Sequence, residues 1–128
     1  MGHRHVVRIR YADCDMQGVV YNAHYLTFID DGFDQWLRQL DTDFETALGW
    51  EVMLKKCEIT WVAPARFNDH LAIEAAVGRW GNTSLDVNYS GQVEGRAVFD
   101  ATVTYVTVGH QDYRPIPIPA ALRDHLSR

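Results

Sequence analysis

The amino-acid sequence predicts an α+β fold, an antiparallel five-stranded sheet wrapped around one long central helix. Three observations predict it. The first residues alternate in polarity with period two, the following apolar run recurs at three- and four-residue steps, and the second half holds four more strand-like stretches. One strand, one helix and then a four-strand meander place all the helical mass against one sheet face. With 128 residues, 47% of them hydrophobic and 23% charged, the chain suits one packed domain over residues 1–128.

The elements follow in chain order. From residue 5 to 11, His5, Val7, Ile9 and Tyr11 share one strand face, and Val6, Arg8 and Arg10 the other. The segment YADCDMQGVVYN then brings turn and capping residues, Asp13, Asp15, Gly18 and Asn22. Ala23 to Leu40 is helical by period, with Tyr25, Ile29, Phe33, Trp36 and Leu40 forming a stripe that Leu26 and Leu37 widen. Its eighteen residues span roughly 27 Å. Gly32 costs about 1 kcal/mol against alanine there, which points to a close backbone approach or a bend.

Asp41 to Trp50 reads as a short second helix or loop that stops at Gly49. Strands are expected at Glu51 to Val62, Leu71 to Arg79, Ser84 to Glu94 and Arg96 to Val108. In the third of these, Leu85, Val87, Tyr89, Gly91 and Val93 share one face. Gly95 and the Gly81-Asn82 pair supply tight turns. Pro115, Pro117 and Pro119 end regular pairing, and a short helix from Ala120 follows. Open edge strands predict pairing between subunits, hence a homo-oligomer, dimer or tetramer.

Composition excludes several classes. The net charge is -5 with no block of lysine or arginine, so the footprint of a nucleic-acid binder is missing. No stretch approaches the roughly 18 apolar residues of a membrane helix, and the N-terminus lacks a signal-peptide core. Cys14 and Cys57 lie in unlike contexts, which argues against a disulfide framework and for a reducing cytoplasm. An anionic ligand would need a local basic cluster or a helix N-terminus.

Asp15 stands seven residues before Asn22, where a loop runs into the long helix. The first N–H groups of a helix are unpaired and carry about half a positive charge. They can polarise a carbonyl that a nearby carboxylate attacks directly or through water. Spacing alone favours the plainer outcome, a cap or turn aspartate.

Read as a unit, YADCDMQGVVYNAHYLTFID resembles the opening signature of the 4-hydroxybenzoyl-CoA thioesterase-like family of the hot-dog superfamily: strand, Asp-x-Asp-x-x-Gly-x-x-x, long helix. The resemblance continues through Ala63-Pro64-Ala65-Arg66-Phe67-Asn68-Asp69 and Asn82-Thr83-Ser84-Leu85, and so covers nearly the whole chain. It implies a hot-dog fold and hydrolysis of a small or medium acyl-CoA, aromatic ones included, with acyl carrier protein as the other possible thioester carrier. It implies no cofactor, since coenzyme A is part of the substrate. Asp15 is then the catalytic carboxylate, as nucleophile or general base, and Gly18 turns the backbone into the site. The amide of Asn22 starts the helix that holds the thioester oxygen, Tyr25 follows as a third catalytic residue, and Asp13 is structural. Two departures stand out. Many members carry histidine where Asn22 stands, and Asp30-Asp31-Gly32-Phe33 replaces a Glu-Arg-Ala-Arg-like stretch, which alters the acyl pocket or the subunit contact.

Other residues extend the candidate site. His24, in the first helical turn, is within reach of a substrate carbonyl. Phosphates of coenzyme A need a basic foothold, for which the candidates are Lys55, Lys56, Arg66, Arg79 and Arg96. Arg66 and Arg79 flank the family-like stretches, and Thr83 or Ser84 adds hydroxyl contacts. Cys14 is a poor nucleophile between two carboxylates. His3 and His5 alternate as a metal pair without a third ligand. No Gly-x-Ser-x-Gly elbow or phosphate-cradling glycine loop is present. The competing readings are a hot-dog hydratase or dehydratase, which wants a histidine with a carboxylate partner, and a non-catalytic acyl-CoA-binding module in which Asp15 only caps the helix.

Overall fold

The computed structural model describes residues 2–40 and 49–128. The short element expected from Asp41 therefore lies, up to residue 48, outside the described residues. Strand β1 (His3–Arg8) leads through a single 3-10 turn (Tyr11–Asp13) to helix α1 (His24–Arg38). Strands β2 (Trp50–Trp61), β3 (His70–Trp80), β4 (Ser84–Val93) and β5 (Arg96–Gly109) follow, and helix α2 (Ala120–Leu126) closes the chain. The five strands form one sheet in the order β1-β3-β4-β5-β2, with every pairing antiparallel.

Three expectations are corrected. The last four strands are not a meander: β3, β4 and β5 are, while β2 crosses to the outside of β5, so β1 and β2 are the edges. The helix has 15 residues rather than eighteen and is about 22 Å long, and α2 joins it, so one long central helix becomes two helices of unequal length. The first strand stops at Arg8, because Tyr11–Asp13 coils into the 3-10 turn and carries Tyr11 outward.

Side-chain alternation builds the core. Along β4, Leu85, Val87, Tyr89, Gly91 and Val93 are buried, as their shared face requires. From α1, Tyr25, Phe28, Ile29, Gly32, Phe33, Trp36 and Leu37 face inward, and Phe33 stacks on Tyr105 of β5 with centroids 4.0 Å apart. Gly32 marks a close approach. A Cβ there would lie 2.0 Å from Cε1 of His5, whose Nε2 is 3.1 Å from the Phe28 carbonyl oxygen.

The chain ends are tied at the same helix. His3 stacks on Trp36, His125 Nε2 lies 2.8 Å from the Trp36 carbonyl oxygen, and the Gly2 N–H donates to the Arg128 carbonyl. His3 and His5 thus serve packing, and burial pulls both imidazole pKa values down. Among the described residues no helix is long and apolar enough to cross a membrane.

The site loop is held by backbone bonds. Ile9 donates to Asp69, Asn68 to Ile9, and Val20 to Ala65. Isolated bridges Cys14 with Val20 and Val19 with Arg66 complete the attachment. Residues 9–22 and 63–69 therefore form one structure at the end of the sheet where α1 begins.

Candidate active site

Two aspartates in this loop have opposite surroundings. Asp13 is buried and accepts from the Arg10 backbone N–H at 2.8 Å, from Nε at 3.2 Å and from Nη2 at 2.9 Å. Its hydrogen bond to the Arg10 side chain, more than any other influence, holds its carboxyl below the usual carboxylate range. Asp13 is structural, as expected. Asp15, half-buried, lies at the tip of a hairpin closed by the Cys14–Val20 bridge and by its own N–H donating to Val19 at 2.9 Å. Its Oδ1 accepts the Gln17 N–H at 2.8 Å, an Asx turn, and Gly18 takes φ +78°, which glycine adopts without steric cost. Among the described residues Oδ2 of Asp15 has no partner.

The chain then enters α1 without a side-chain cap. Ala23 is the cap residue, already in helical conformation, and the first bonds run from His24 to Tyr21 and from Tyr25 to Asn22. Among the described residues the backbone N–H groups of Asn22 and Ala23 find no acceptor, and both residues are exposed. These are the unpaired donors a helix start offers to a carbonyl oxygen. The Asn22 side chain is an amide, which hydrogen-bonds but cannot trade protons at neutral pH.

Tyr25 is 2% exposed, its hydroxyl accepts the Ala65 N–H at 3.2 Å, and burial pushes its pKa up. This bond ties the start of α1 to the 63–66 segment. His24 is half-buried and meets Tyr21 edge-on at 5.6 Å.

Two clefts flank the loop. One, of about 680 Å³, is lined by Tyr11, Cys14, Asp15, Met16, Gly18 and Phe67. The other, of about 250 Å³, is lined by Val20, Asn22, Tyr25, Trp61, Val62 and Pro64, among others. Asp15 lines the first cleft and Asn22 the second, and one loop carries both.

The predicted basic foothold divides. Arg66 lies here through its bridge to Val19, and Arg96 donates to the Pro64 carbonyl at 3.0 Å. Arg79, Thr83 and Ser84 are not brought together with Asp15. Arg79 sits at the other end of β3, nine residues from His70 and so about 30 Å from it within one chain, and Thr83 and Ser84 follow where β4 begins. Arg79 is also occupied, with Nε and Nη2 donating to the two Asp86 oxygens at 2.8 and 3.1 Å and Nη2 to Ser84 Oγ at 3.1 Å. The Thr83 carbonyl accepts the Thr107 N–H at 2.9 Å. On β2, Lys56 pairs with Glu58 at 3.0 Å, and Lys55 is exposed.

The stretch Asp30-Asp31-Gly32-Phe33 is largely absorbed by packing, since Gly32 admits His5 and Phe33 covers Tyr105. Burial raises the Asp30 pKa. Sequence reasoning missed Tyr11 and Phe67, which line the cleft with Asp15, and Arg8, whose guanidinium lies 5.8 Å from the Phe67 ring. Tyr11 shares a face with His5, Val7 and Ile9 in the sequence alternation, yet it is 85% exposed where His5 and Ile9 are buried.

A family model described as the thioesterase-like superfamily matches residues 9–126. The acyl-CoA thioester hydrolase YbgC of Escherichia coli O6:H1 is 28% identical over 119 residues, which cover 91% of this chain and 89% of that one. A 1,4-dihydroxy-2-naphthoyl-CoA hydrolase of Thermosynechococcus vestitus is 26% identical over 117 residues, covering 87% of this chain and 80% of the relative. The crystal structure of a 1,4-dihydroxy-2-naphthoyl-CoA thioesterase from Synechocystis superposes with a TM-score of 0.87 over 98% of this chain and 96% of that one. At 18% identity this is a likeness of fold.

Proposed function

This chain belongs to the thioesterase-like superfamily, and on that premise we propose that it hydrolyses acyl-CoA thioesters with Asp15 as the central catalytic group. The observation that carries this reading is the pairing of two unsatisfied groups. One oxygen of Asp15 and the N–H groups of Asn22 and Ala23 lack partners among the described residues, while Asp13, two residues away, is fully engaged.

The thioester oxygen accepts from the free N–H groups at the start of α1, which draws electron density from the carbonyl carbon. Asp15 then acts by one of two routes. Its oxygen attacks that carbon and expels the thiolate, leaving an acyl-aspartyl anhydride for water to open, or it takes a proton from the water that attacks. Either route consumes one water and yields the free acid and coenzyme A. Gly18 keeps the turn tight enough to hold the Asp15 backbone in place.

The acyl group, small or medium in size, rests against Val20, Trp61 and Val62 in the smaller cleft. The aromatic character of that wall and the naphthoyl substrate named for the Thermosynechococcus relative support aromatic acyl groups among the substrates. The place of β2 at the edge of the sheet formed by the described residues supports a homo-oligomer built by strand pairing. The hydratase reading has no such support, because His24 meets Tyr21 and no carboxylate bonds to its ring among the described residues.

The test is thiol release from a panel of aliphatic and aromatic acyl-CoAs. Turnover to free acid and coenzyme A is expected, with the best substrate naming the acyl class. A wild-type protein inert across the panel overturns the reading and brings the binding module forward.

A further inference from the structure

On the reading that Asp15 and the first amides of α1 act on one thioester, we propose that the Tyr25 hydroxyl is the positioning group that sets their separation. Asp15 sits at the tip of the hairpin closed by Cys14 and Val20, while Asn22 and Ala23 open the helix. An error of about 1 Å in the placement of two such groups costs about 100-fold in rate. The joint between them is short, since Tyr21 alone separates Val20 from Asn22. The Tyr21 N–H is fixed to the Asp13 carbonyl at 3.0 Å, but the helix that follows has no side-chain cap to set its entry angle. That angle depends on what spans the joint.

Ala65 spans it. Its carbonyl accepts the Val20 N–H at 2.9 Å on the hairpin side, and its own N–H donates to the Tyr25 hydroxyl at 3.2 Å on the helix side. Ala65 and Tyr25 are both buried, so water does not replace either partner. Among the described residues no other hydrogen bond joins the first turn of α1 to residues 63–66. The Tyr25 ring meets Phe99, Phe28 and Trp61 edge-on at 5.4, 6.3 and 6.4 Å, which fixes where its hydroxyl ends. Helix start, Tyr25, Ala65, Val20 and the Asp15 hairpin thus form a closed ring.

A reacting hydroxyl and a spacing hydroxyl make different demands on the proton. A phenol that trades its proton leaves a pH limb in the rate. Tyr25 is an acceptor for a buried amide, and burial pushes its pKa up, which keeps it a neutral phenol at neutral pH. Its part in the reaction therefore runs through Ala65 and Val20 to the Asp15 hairpin.

Tyr25→Phe keeps the ring and removes the bond. With the best acyl-CoA, kcat per folded molecule falls about 10- to 100-fold, KM moves less than about 2-fold, and the pH profile of kcat keeps its shape. Hydrogen exchange of the Ala65 and Val20 amides speeds up at least about 10-fold more than that of Val87 in β4. Tyr89→Phe is the control for lost stability. It deletes another buried hydroxyl, 2.7 Å from that of Tyr105, and lowers the urea midpoint without lowering kcat. Unchanged kcat in Tyr25→Phe, a loss carried by KM, or unaltered exchange at both amides would overturn the positioning role. Loss of a limb from the pH profile would overturn it too, by making the hydroxyl a proton donor. The exchange measurement needs no turnover. A wild type inert across the thioester panel, with both amides loosened in Tyr25→Phe, removes the hydrolase reading and leaves the ring standing.

Discussion

Where β3 ends, Arg79 grips both oxygens of Asp86 and the Ser84 hydroxyl, and Arg123 lies 4.8 Å over Trp80 while donating to the Gly81 carbonyl. Thr107 bonds across to Thr83 and Ile116. Where β3 begins, arginines, rings and turns are as plentiful, yet among the described residues the terminal nitrogens of Arg8, one oxygen of Asp15 and the first amides of the helix have no partner, and Tyr11 and Phe67 are exposed. The comparison teaches that composition does not separate a working end from a structural one. What separates them is whether the polar groups have been spent on the fold, because a satisfied donor must break a bond before it can serve a substrate.

The largest expected effect sharpens this contrast within one loop. Asp15→Asn lowers kcat at least about 100-fold, or about 2.7 kcal/mol of barrier, and shifts urea unfolding by less than about 0.5 kcal/mol. Asp13→Asn does the reverse. It loses about 1–3 kcal/mol of stability at neutral pH through its buried bonds to Arg10, with activity per folded molecule retained. Because the folded Asp13 pKa is depressed, its stabilisation is present above the unfolded value and is lost as pH falls through the folded one. Urea midpoints of wild type and Asp13→Asn therefore converge in acid. Loss of turnover in both variants without loss of stability would break the contrast.

Gly32→Ala tests the packing at the middle of α1. The new methyl displaces His5 and costs about 1–2 kcal/mol despite better helix propensity, readable as a lowered urea midpoint. A smaller, pH-dependent effect comes from the same place. Burial depresses the folded pKa of His3 and His5, with Asp31 opposing the shift at His5, so stability is full above the unfolded histidine value and falls as pH drops below it. Melting temperature declines from pH 7.5 towards about 5.5, less steeply in His5→Gln. The smallest effect belongs to the other end of the sheet. Arg79→Ala costs about 1 kcal/mol, since the Arg79 side chain in its pair with Asp86 is about half exposed, and leaves KM unchanged.

Strand periods were legible because each side chain reports its own face, and β4 buries the five residues its alternation selects. The helical stripe was legible for the same reason, from Tyr25 to Leu37. Strand order was not, since the crossing of β2 to β5 depends on contacts distant in sequence. Within the site, the resemblance gave Asp15 and Asp13 different roles, but only the fold shows why Asp13 is engaged, through its bonds to Arg10. Arg79 shows the same limit: sequence reveals a charge, and only folding reveals that Asp86 has taken it. Tyr11 continues an alternation that the 3-10 turn has already broken.

The central claim is that free amides at the start of α1 hold a thioester carbonyl beside Asp15. Isotope-edited infrared spectroscopy of an acyl-CoA, labelled at that carbonyl and bound to Asp15→Asn, tests it most directly. The account predicts a carbonyl band shifted to lower frequency than in water, as stronger hydrogen bonding to the oxygen requires. A band unshifted from its position in water, in a complex shown to be fully formed, would contradict it.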